Sequence, residues 1–187
     1  MERFPSNIEK RIIYLIEMNS MEFKKVFTAG IIGTSAMTIF SYLVSVLMNE
    51  NFREPEIMTI LIKNILPVAS QYAPYLAWSL HYFIGFIFVF IYVRLLDHNK
   101  LKANIESGLL LGAISGIVGI TGWYFTLKIH PELPVINPKH FFILLFFAHI
   151  ILGIFAVIGY ILVKKLTGNV EKTEYKKFHR NQLSLFE

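Results

Sequence analysis

The sequence contains no cysteine. This absence excludes disulfide bonds, thiolate metal sites, iron–sulfur clusters and thioether-linked haem. Charged residues are also scarce, because they make up 17% of the chain, whereas a typical soluble domain carries about 25%. The charges are segregated and leave four long apolar stretches between them. The scarcity and segregation of charge are typical of a membrane protein.

Several functional classes lose support from what is missing. The chain has no G-x-S-x-G nucleophile elbow, no phosphate-binding glycine loop and no H-E-x-x-H zinc motif. No acidic residue lies inside an apolar stretch, which weakens the hypothesis of a proton- or sodium-driven transporter. The net charge of +5 comes from basic residues that flank the apolar stretches, so it does not indicate a nucleic-acid partner. These absences disfavour an enzyme.

The longest apolar stretch is Phe141–Val163, which holds no charged residue and is followed at once by Lys164 and Lys165. A helix needs about 20 such residues to cross a hydrocarbon core roughly 30 Å thick. Three further stretches are also apolar: Val26–Leu47 and Ser107–Leu127 hold no charged residue, and Pro74–Leu96 holds one, Arg94 near its end. The sequence therefore predicts an all-α integral membrane protein, with one domain that is an antiparallel bundle of four transmembrane helices. Short connections predict that consecutive spans are neighbours.

The segments outside the spans predict short amphipathic interfacial helices. In residues 1–25, Ser6 and Glu9 have the spacing of a capping box, and apolar residues fall on one helical face. This pattern favours a helix on the cytoplasmic surface or against the bundle, with a disordered leader as the alternative. Residues 49–73 include Pro55, where a helix could begin, and predict an interfacial helix on the outer face. Residues 164–187 predict a frayed cytoplasmic tail or a short surface helix.

The distribution of basic residues predicts the orientation. Of the 18 lysines and arginines, 14 lie in the N-terminal segment, at the end of the second span and in the turn that follows it (Arg94, Lys100 and Lys102), and in the tail. The positive-inside bias therefore places both termini in the cytoplasm. In general form the chain resembles the many small four-span proteins of the bacterial inner membrane, which suggests that location.

Two histidines are expected at membrane depth. His81 is seven residues past Pro74, and His149 is eight residues past Phe141. Because both helices are predicted to start on the outer side, a rise of about 1.5 Å per residue puts both imidazoles roughly 10–12 Å deep, in one layer. Other polar groups are expected just above this layer: His130, His140, Glu54 and Glu56.

Three interpretations of this layer remain open. The histidines could be hydrogen-bonded packing residues, with partners among Ser41, Tyr42, Ser45, Tyr82 and Trp123. They could form a metal site in which His81 and His149 are joined by His140, or by His130 or Glu54, since imidazole suits zinc, copper, nickel or iron. They could hold a b-type haem, with room made by the small residues Gly85, Gly119, Gly153 and Ala156.

Glycines in the last two spans predict close helix packing. Gly108, Gly112 and Gly116 recur every four residues, and Gly119 continues the pattern from Ser115. The fourth span adds Gly153 and Gly159, which precedes Tyr160. GxxxG spacing allows two helices to approach closely, within one chain or between copies.

The sequence supports two main hypotheses on function. The first is a membrane protein that binds a small ligand or cofactor in an outward-facing cavity lined by His81, Tyr82, Trp123 and His149, with Glu54 at the rim. The second is an accessory or scaffold subunit, whose glycine-rich third span docks another copy or another membrane protein. A small transporter that acts as an oligomer is a further alternative, as is a membrane enzyme that uses the histidines and Glu54.

Overall fold

The computed structural model of the protein describes residues 7–183 and is built from helices. The five α-helices are α1 (Asn7–Met48), α2 (Glu54–Ile65), α3 (Ala73–Asp97), α4 (Ile105–Ile129) and α5 (Pro138–Leu183). A short 3-10 helix, Pro67–Tyr72, connects α2 to α3. Within residues 7–183 there is no β-strand.

Four helical segments of the described part of the chain are long and apolar enough to cross a membrane. The segments are Met21–Met48, Ser70–Asp97, Ile105–Ile129 and Pro138–Thr167. Many large apolar side chains on their outer surfaces are exposed, as expected of a surface that faces lipid. The predicted all-α bundle of four transmembrane helices is therefore confirmed, and the chain is a multi-pass membrane protein.

The two segments that flank the bundle continue the spans. Helix α1 runs without a break from Asn7 through the first span, and α5 runs without a break to Leu183. Neither extension contains a proline that would end a helix. The sequence predicted a helix on the surface or against the bundle, or a disordered leader, before the first span, and a frayed tail or a short surface helix after the fourth. In the structure both segments are helical and continuous with the neighbouring spans. Residues 1–6 and 184–187 lie outside the described part of the chain.

The turns between the helices follow from local chemistry. Asn49 and Asn99 adopt the left-handed conformation, with φ of 52° and 53°, which asparagine tolerates better than most residues. Asn104 caps α4, since its side chain accepts a hydrogen bond from the Ser107 N–H at 3.0 Å. Pro55 lies in the first turn of α2, where a missing N–H costs no helical hydrogen bond. These turns set the two ends of the bundle.

The packing order differs from the order along the chain. Helices α1 and α5 pack along each other in the centre, α3 packs on α1, α4 packs on α5, and α2 packs on α3. Helices α3 and α4 make little contact, although a short turn joins them. The prediction that consecutive spans are neighbours therefore holds for α1 with α3 and for α4 with α5, and it is wrong for α3 with α4.

Small residues explain which helices approach closely. A Cβ atom added to Gly112 would lie 2.6 Å from the carbonyl oxygen of His149, and one added to Gly108 would lie 2.9 Å from Cα of Ile154. These distances leave no room for a side chain, so the glycine face of α4 is filled by α5 of the same chain. Gly116 and Gly153 lie in the same seam, whereas Gly159 packs against Ala29 of α1.

Polar side chains fasten one end of the bundle, called here the Asp97 end. Lys25 Nζ lies 2.8 Å from Asp97 Oδ1, and the Tyr160 hydroxyl donates a hydrogen bond to the same oxygen at 2.7 Å. These contacts join α1, α3 and α5. The opposite end, where α2 crosses the bundle, is called the α2 end. It is closed by a buried apolar cluster drawn from the first connection, α2, α4 and α5: Phe52, Ile57, Leu61, Trp123, Phe141 and Leu145.

Candidate functional site

A cavity of about 400 Å³ lies where α3 and α4 do not pack against each other. Helices α3 and α4 form its sides, α2 covers one end, and α1 and α5 form its back. Most of its lining is apolar. The polar or aromatic hydrogen-bonding side chains in its wall are Glu54, His81, Trp123, Thr126, His130 and His149. The structure therefore brings together both histidines of the predicted layer, Trp123 and Glu54.

His81 is held in one tautomer by α1. Its Nε2 atom lies 2.8 Å from the hydroxyl oxygen of Thr38, which also lies 2.7 Å from the carbonyl oxygen of Thr34. A hydroxyl has a single proton and a carbonyl can only accept, so the Thr38 hydroxyl donates to Thr34 and accepts from His81 Nε2–H. In the neutral imidazole, Nδ1 is left as an acceptor. This nitrogen lies 3.9 Å from Glu54 Oε2.

His149 is oriented by its own helix. Its Nδ1 atom lies 2.8 Å from the carbonyl oxygen of Leu145, one turn earlier in α5, so Nδ1–H donates. Nε2 is then the acceptor of the neutral ring, and it lies beside Gly119, where an added Cβ atom would be 2.8 Å from it. The ring packs edge-on against Phe88. His149 therefore also presents a lone pair within the wall of the cavity.

Glu54 is the most unusual residue of the cavity, because its carboxyl group is buried beside these imidazoles. It is 5% exposed, and its Oε1 atom has no hydrogen-bond partner among the described residues. Burial raises the pKa of Glu54 to about 7. The Trp123 indole lies close enough to oppose this increase in pKa, but it makes no hydrogen bond of normal geometry to Oε1. Near neutral pH the carboxyl group can therefore hold or release a proton.

The helical phase of α2 turns Glu54 inward. Glu54, Ile57 and Leu61 are all buried and recur at the spacing of one helical face. Glu56 lies on another face and forms an ion pair with Arg53 at 2.9 Å. The local ion pairing of this loop thus involves Glu56, and Glu54 is free to face His81.

Two residues predicted for the site lie elsewhere. The Tyr82 hydroxyl is 3.0 Å from Ser35 Oγ of α1. Tyr82 follows His81 directly, and consecutive residues of a helix point about 100° apart, so its side chain does not share the direction of His81. His140 is at the α2 end, with Nδ1 3.0 Å from Glu50 Oε1. It is nine residues from His149, or about 13 Å along a helix. The structure therefore does not place Tyr82 or His140 in the wall of the cavity.

The metal and haem interpretations find limited geometric support. Among the residues whose side chains the structure describes, 21–67 and 70–167, no three His, Asp or Glu side chains are grouped as metal ligands. His130 lines the cavity, but its Nε2–H donates to the carbonyl oxygen of Leu61 at 3.0 Å. The small residues that were expected to make room for a haem lie at close contacts between helices: Gly85 against Thr34, Gly119 against His149, Gly153 against Gly112 and Ala156 against Gly33.

The sequence missed Thr38, which holds His81, and Gly122, which opens the cavity. Both histidines are hydrogen-bonded, as one interpretation expected, but His81 bonds Thr38 and His149 bonds the carbonyl oxygen of Leu145. The predicted partners Ser41 and Ser45 donate instead to carbonyl groups of their own helix. Thr38 could have been found from its i, i+4 relation to Thr34, which lets its hydroxyl bond the preceding turn. Gly122 gives no local signal, because its role depends on the gap between α3 and α4.

At neutral pH the wall of the cavity combines two imidazole acceptors with one carboxyl group that can hold a proton. Such a surface can bind hydrogen-bond donors and can exchange a proton. Comparison of the chain with models of protein families, with curated proteins and with solved structures finds no match.

Proposed function

We propose that the protein binds a small ligand in the cavity between α3 and α4, with His81, His149 and Glu54 as its polar contacts. The observation that carries this proposal is the buried carboxyl group of Glu54 in the wall of a cavity of about 400 Å³, where its Oε1 atom has no hydrogen bond to any residue that the structure describes. An unsatisfied buried polar group costs about 1–3 kcal/mol of stability, so its presence calls for an explanation. A bound ligand that contacts Glu54 supplies one.

The proposal includes a location in the bacterial inner membrane, with both termini in the cytoplasm. Of the 17 lysines and arginines in residues 7–183, 13 lie at the Asp97 end or in the helices that extend from it, which supports this orientation. Because the chain has no cysteine, the orientation can be tested with Ala103→Cys and Val135→Cys, each with a membrane-impermeant maleimide on spheroplasts. We expect labelling of the Val135→Cys variant in intact spheroplasts and of the Ala103→Cys variant only after permeabilisation.

Ligand retention is the direct test. Protein purified in mild detergent would be examined by mass spectrometry of its extract, by absorption spectroscopy and by elemental analysis. Glu54→Gln and His149→Ala should lower the retained amount by tenfold or more. Glu50→Gln and His140→Ala are matched controls, since the same two residue types form a pair outside the cavity. If the wild-type protein and all four variants carry the same compounds, or none, the proposal is wrong.

The accessory-subunit hypothesis has less support than ligand binding. It depends on a free glycine face in the third span, but Gly108, Gly112 and Gly116 all pack against α5 of the same chain. A second copy could use that face only by displacing α5. A partner that binds the protein must therefore use another surface.

A proton-coupled transporter that acts as an oligomer is the second candidate. The lack of acidic residues in the spans counted against it, yet α2 supplies a buried carboxyl group, with Glu54 Oε2 3.9 Å from His81 Nδ1. Buried ionisable groups of this kind commonly carry coupled protons in membrane proteins. In proteoliposomes with an internal pH dye, ligand addition would then move protons, and Glu54→Gln would abolish the signal.

A further inference from the structure

We infer that the cavity receives its ligand from the bilayer, through the gap between α3 and α4, and that the ligand is a lipid-soluble alcohol or phenol whose hydroxyl group donates to His81 Nδ1 or His149 Nε2. This inference depends on the proposed function, because it names the source and the chemical class of the ligand.

The gap opens at the depth of the hydrocarbon core. Its lips are Ile84 on α3 and Val118 on α4, which line the cavity and are 43% and 52% exposed. Each residue lies 11 positions from the α2 end of its helix, counted from Ala73 and from Ile129. At 1.5 Å per residue, both are roughly 17 Å deep, near the middle of a core about 30 Å thick. An opening at this depth faces lipid tails and not water.

The route from the aqueous side is closed by α2. The buried cluster at the α2 end places Ile57 and Leu61 of α2 against Trp123 of α4 and Phe141 of α5. His130 Nε2–H also donates to the carbonyl oxygen of Leu61, which ties the end of α4 to α2. A ligand from the outer solution would have to displace this cluster, whereas a ligand in the bilayer meets an open gap.

The polar atoms favour a ligand that donates a hydrogen bond. The Thr38 hydroxyl oxygen accepts a hydrogen bond from Nε2–H of His81, and the Leu145 carbonyl oxygen accepts one from Nδ1–H of His149. The remaining nitrogens are acceptors. No lysine or arginine lines the cavity in the described part of the chain, so a phosphate or carboxylate head group would meet lone pairs and Glu54 without a counter-charge.

A neutral hydroxyl group fits these acceptors better than a charged donor. An ammonium group would also donate, but moving a charge from water into the membrane is costly. The free-energy cost of moving an alcohol or a phenol out of water is much smaller, and either imidazole can accept a hydrogen bond from its hydroxyl group. A cavity of about 400 Å³ would hold the head of such a molecule, and its apolar tail would extend through the gap into the bilayer.

The test uses the full-length protein in lipid vesicles with three photoreactive probes of equal chain length. One probe is a long-chain alcohol, the second is its methyl ether, and the third is the corresponding fatty acid. Crosslinked peptides are quantified by mass spectrometry. We expect the alcohol to label the cavity-lining peptides of α3, α4 and α5 at least tenfold more than the ether or the acid. Equal labelling by the ether would show that no donated hydrogen bond is needed and would overturn the inference.

Gly122→Leu tests the gap separately. Gly122 is exposed and lines the cavity, and a Cβ atom added there meets nothing within 4 Å, so a leucine would narrow the opening without a clash. Thr121→Leu is the matched control, because Thr121 is exposed on the same turn and does not line the cavity. Labelling by the alcohol should decrease about tenfold in Gly122→Leu and stay unchanged in Thr121→Leu. Unchanged labelling in both variants would overturn access through the gap.

The failure of this inference is distinguishable from the failure of the proposed function. If the purified protein retains a compound that depends on Glu54 and His149, but the alcohol does not label the cavity, the ligand class is wrong and ligand binding stands. If nothing is retained and nothing labels the cavity, both fail. Val118→Trp, one turn away on the same lip of the gap, provides a second variant that narrows the gap should Gly122→Leu fail to fold.

Discussion

Glu54 and His81 face each other in the interior of the bundle, with the carboxylate Oε2 3.9 Å from the imidazole Nδ1. This distance is too long for a direct hydrogen bond but suits a bridging hydroxyl group or water molecule. Glu54 comes from a connection outside the spans, and His81 comes from the interior of α3. The pair therefore combines a group that can change its protonation near neutral pH with a nitrogen that is fixed as an acceptor.

Glu54→Gln should remove a pH dependence of stability. Burial raises the pKa of Glu54 from 4.5 to about 7, so the folded protein binds this proton more tightly than the unfolded chain does. The resulting stabilisation is complete below pH 4.5, decreases as the pH rises to about 7, and is absent above that. At about 1.4 kcal/mol per pKa unit, it amounts to roughly 3 kcal/mol.

Thermal unfolding in detergent at pH 5 and pH 8 measures this effect. The wild-type protein should unfold at a lower temperature at pH 8, and the difference should shrink in Glu54→Gln. Glu50→Gln is the control, because its carboxylate lies outside the cavity beside His140. The same pH dependence in the wild-type protein and in Glu54→Gln would contradict the prediction.

Thr38→Val should destabilise the protein and release the tautomer of His81. The change keeps the shape of the side chain but leaves the buried Nε2–H without its acceptor, which costs about 1–3 kcal/mol. Nitrogen NMR of labelled histidine should then show the second tautomer, with the proton on Nδ1. Thr121→Val is the matched control, since that hydroxyl is exposed and donates within its own helix. An unchanged His81 spectrum in Thr38→Val would show that Thr38 does not set the tautomer.

The positions of the spans could be predicted from the sequence, but their packing order could not. An apolar run that is long enough to cross the membrane is a local property, and Phe141–Val163 falls within the span Pro138–Thr167. Which helices touch depends on clearances of a few tenths of an ångström, such as that between Gly112 and His149. The four-residue glycine spacing indicated a close contact without indicating its partner.

The candidate site could be predicted only where its features are local to one helix. Counting the rise per residue placed His81 and His149 in one layer, since both helices start at the same end. Glu54 points inward because it shares a helical face with Ile57 and Leu61. The spacing of these residues can be read from the sequence, but it predicts a shared face only once α2 is known to begin at Glu54. The cavity itself arises because α3 and α4 do not pack, and no local pattern encodes that gap.

The Gly112→Ala variant should distinguish a glycine face that packs within one chain from a glycine face that packs between two copies. An added methyl group would lie 2.6 Å from backbone atoms of His149 and Ile150, which cannot give way like the end of a side chain. We expect a loss of about 1–3 kcal/mol in the free energy of unfolding, as for other overpacked sites. Gly122→Ala is the control, because nothing lies near its added Cβ atom. A monomer of unchanged stability in Gly112→Ala, together with loss of an oligomer, would instead favour the scaffold hypothesis.

The contacts around Asp97 should contribute more to stability than the neighbouring ion pair between Arg94 and Glu22. The side chains of Lys25 and Asp97 are 14% and 18% exposed, and Tyr160 donates to the same carboxylate, so removing one partner leaves a partly buried charge unsatisfied. Arg94 and Glu22 are 45% and 39% exposed, and such surface pairs contribute about 0–1 kcal/mol.

Tyr160→Phe removes one hydrogen bond to this charged carboxylate. It should lower the free energy of unfolding by about 1.5–3 kcal/mol, the range for hydrogen bonds to charged groups, whereas Arg94→Gln should lower it by less than about 1 kcal/mol. Unfolding in detergent in the presence and absence of 0.5 M salt distinguishes the two. Salt screens an exposed pair, so it should reduce the effect of Arg94→Gln and leave that of Tyr160→Phe nearly unchanged. Equal losses and equal salt dependence would show that the Asp97 contacts behave as an ordinary surface pair, and α1, α3 and α5 would then be held together by apolar packing alone.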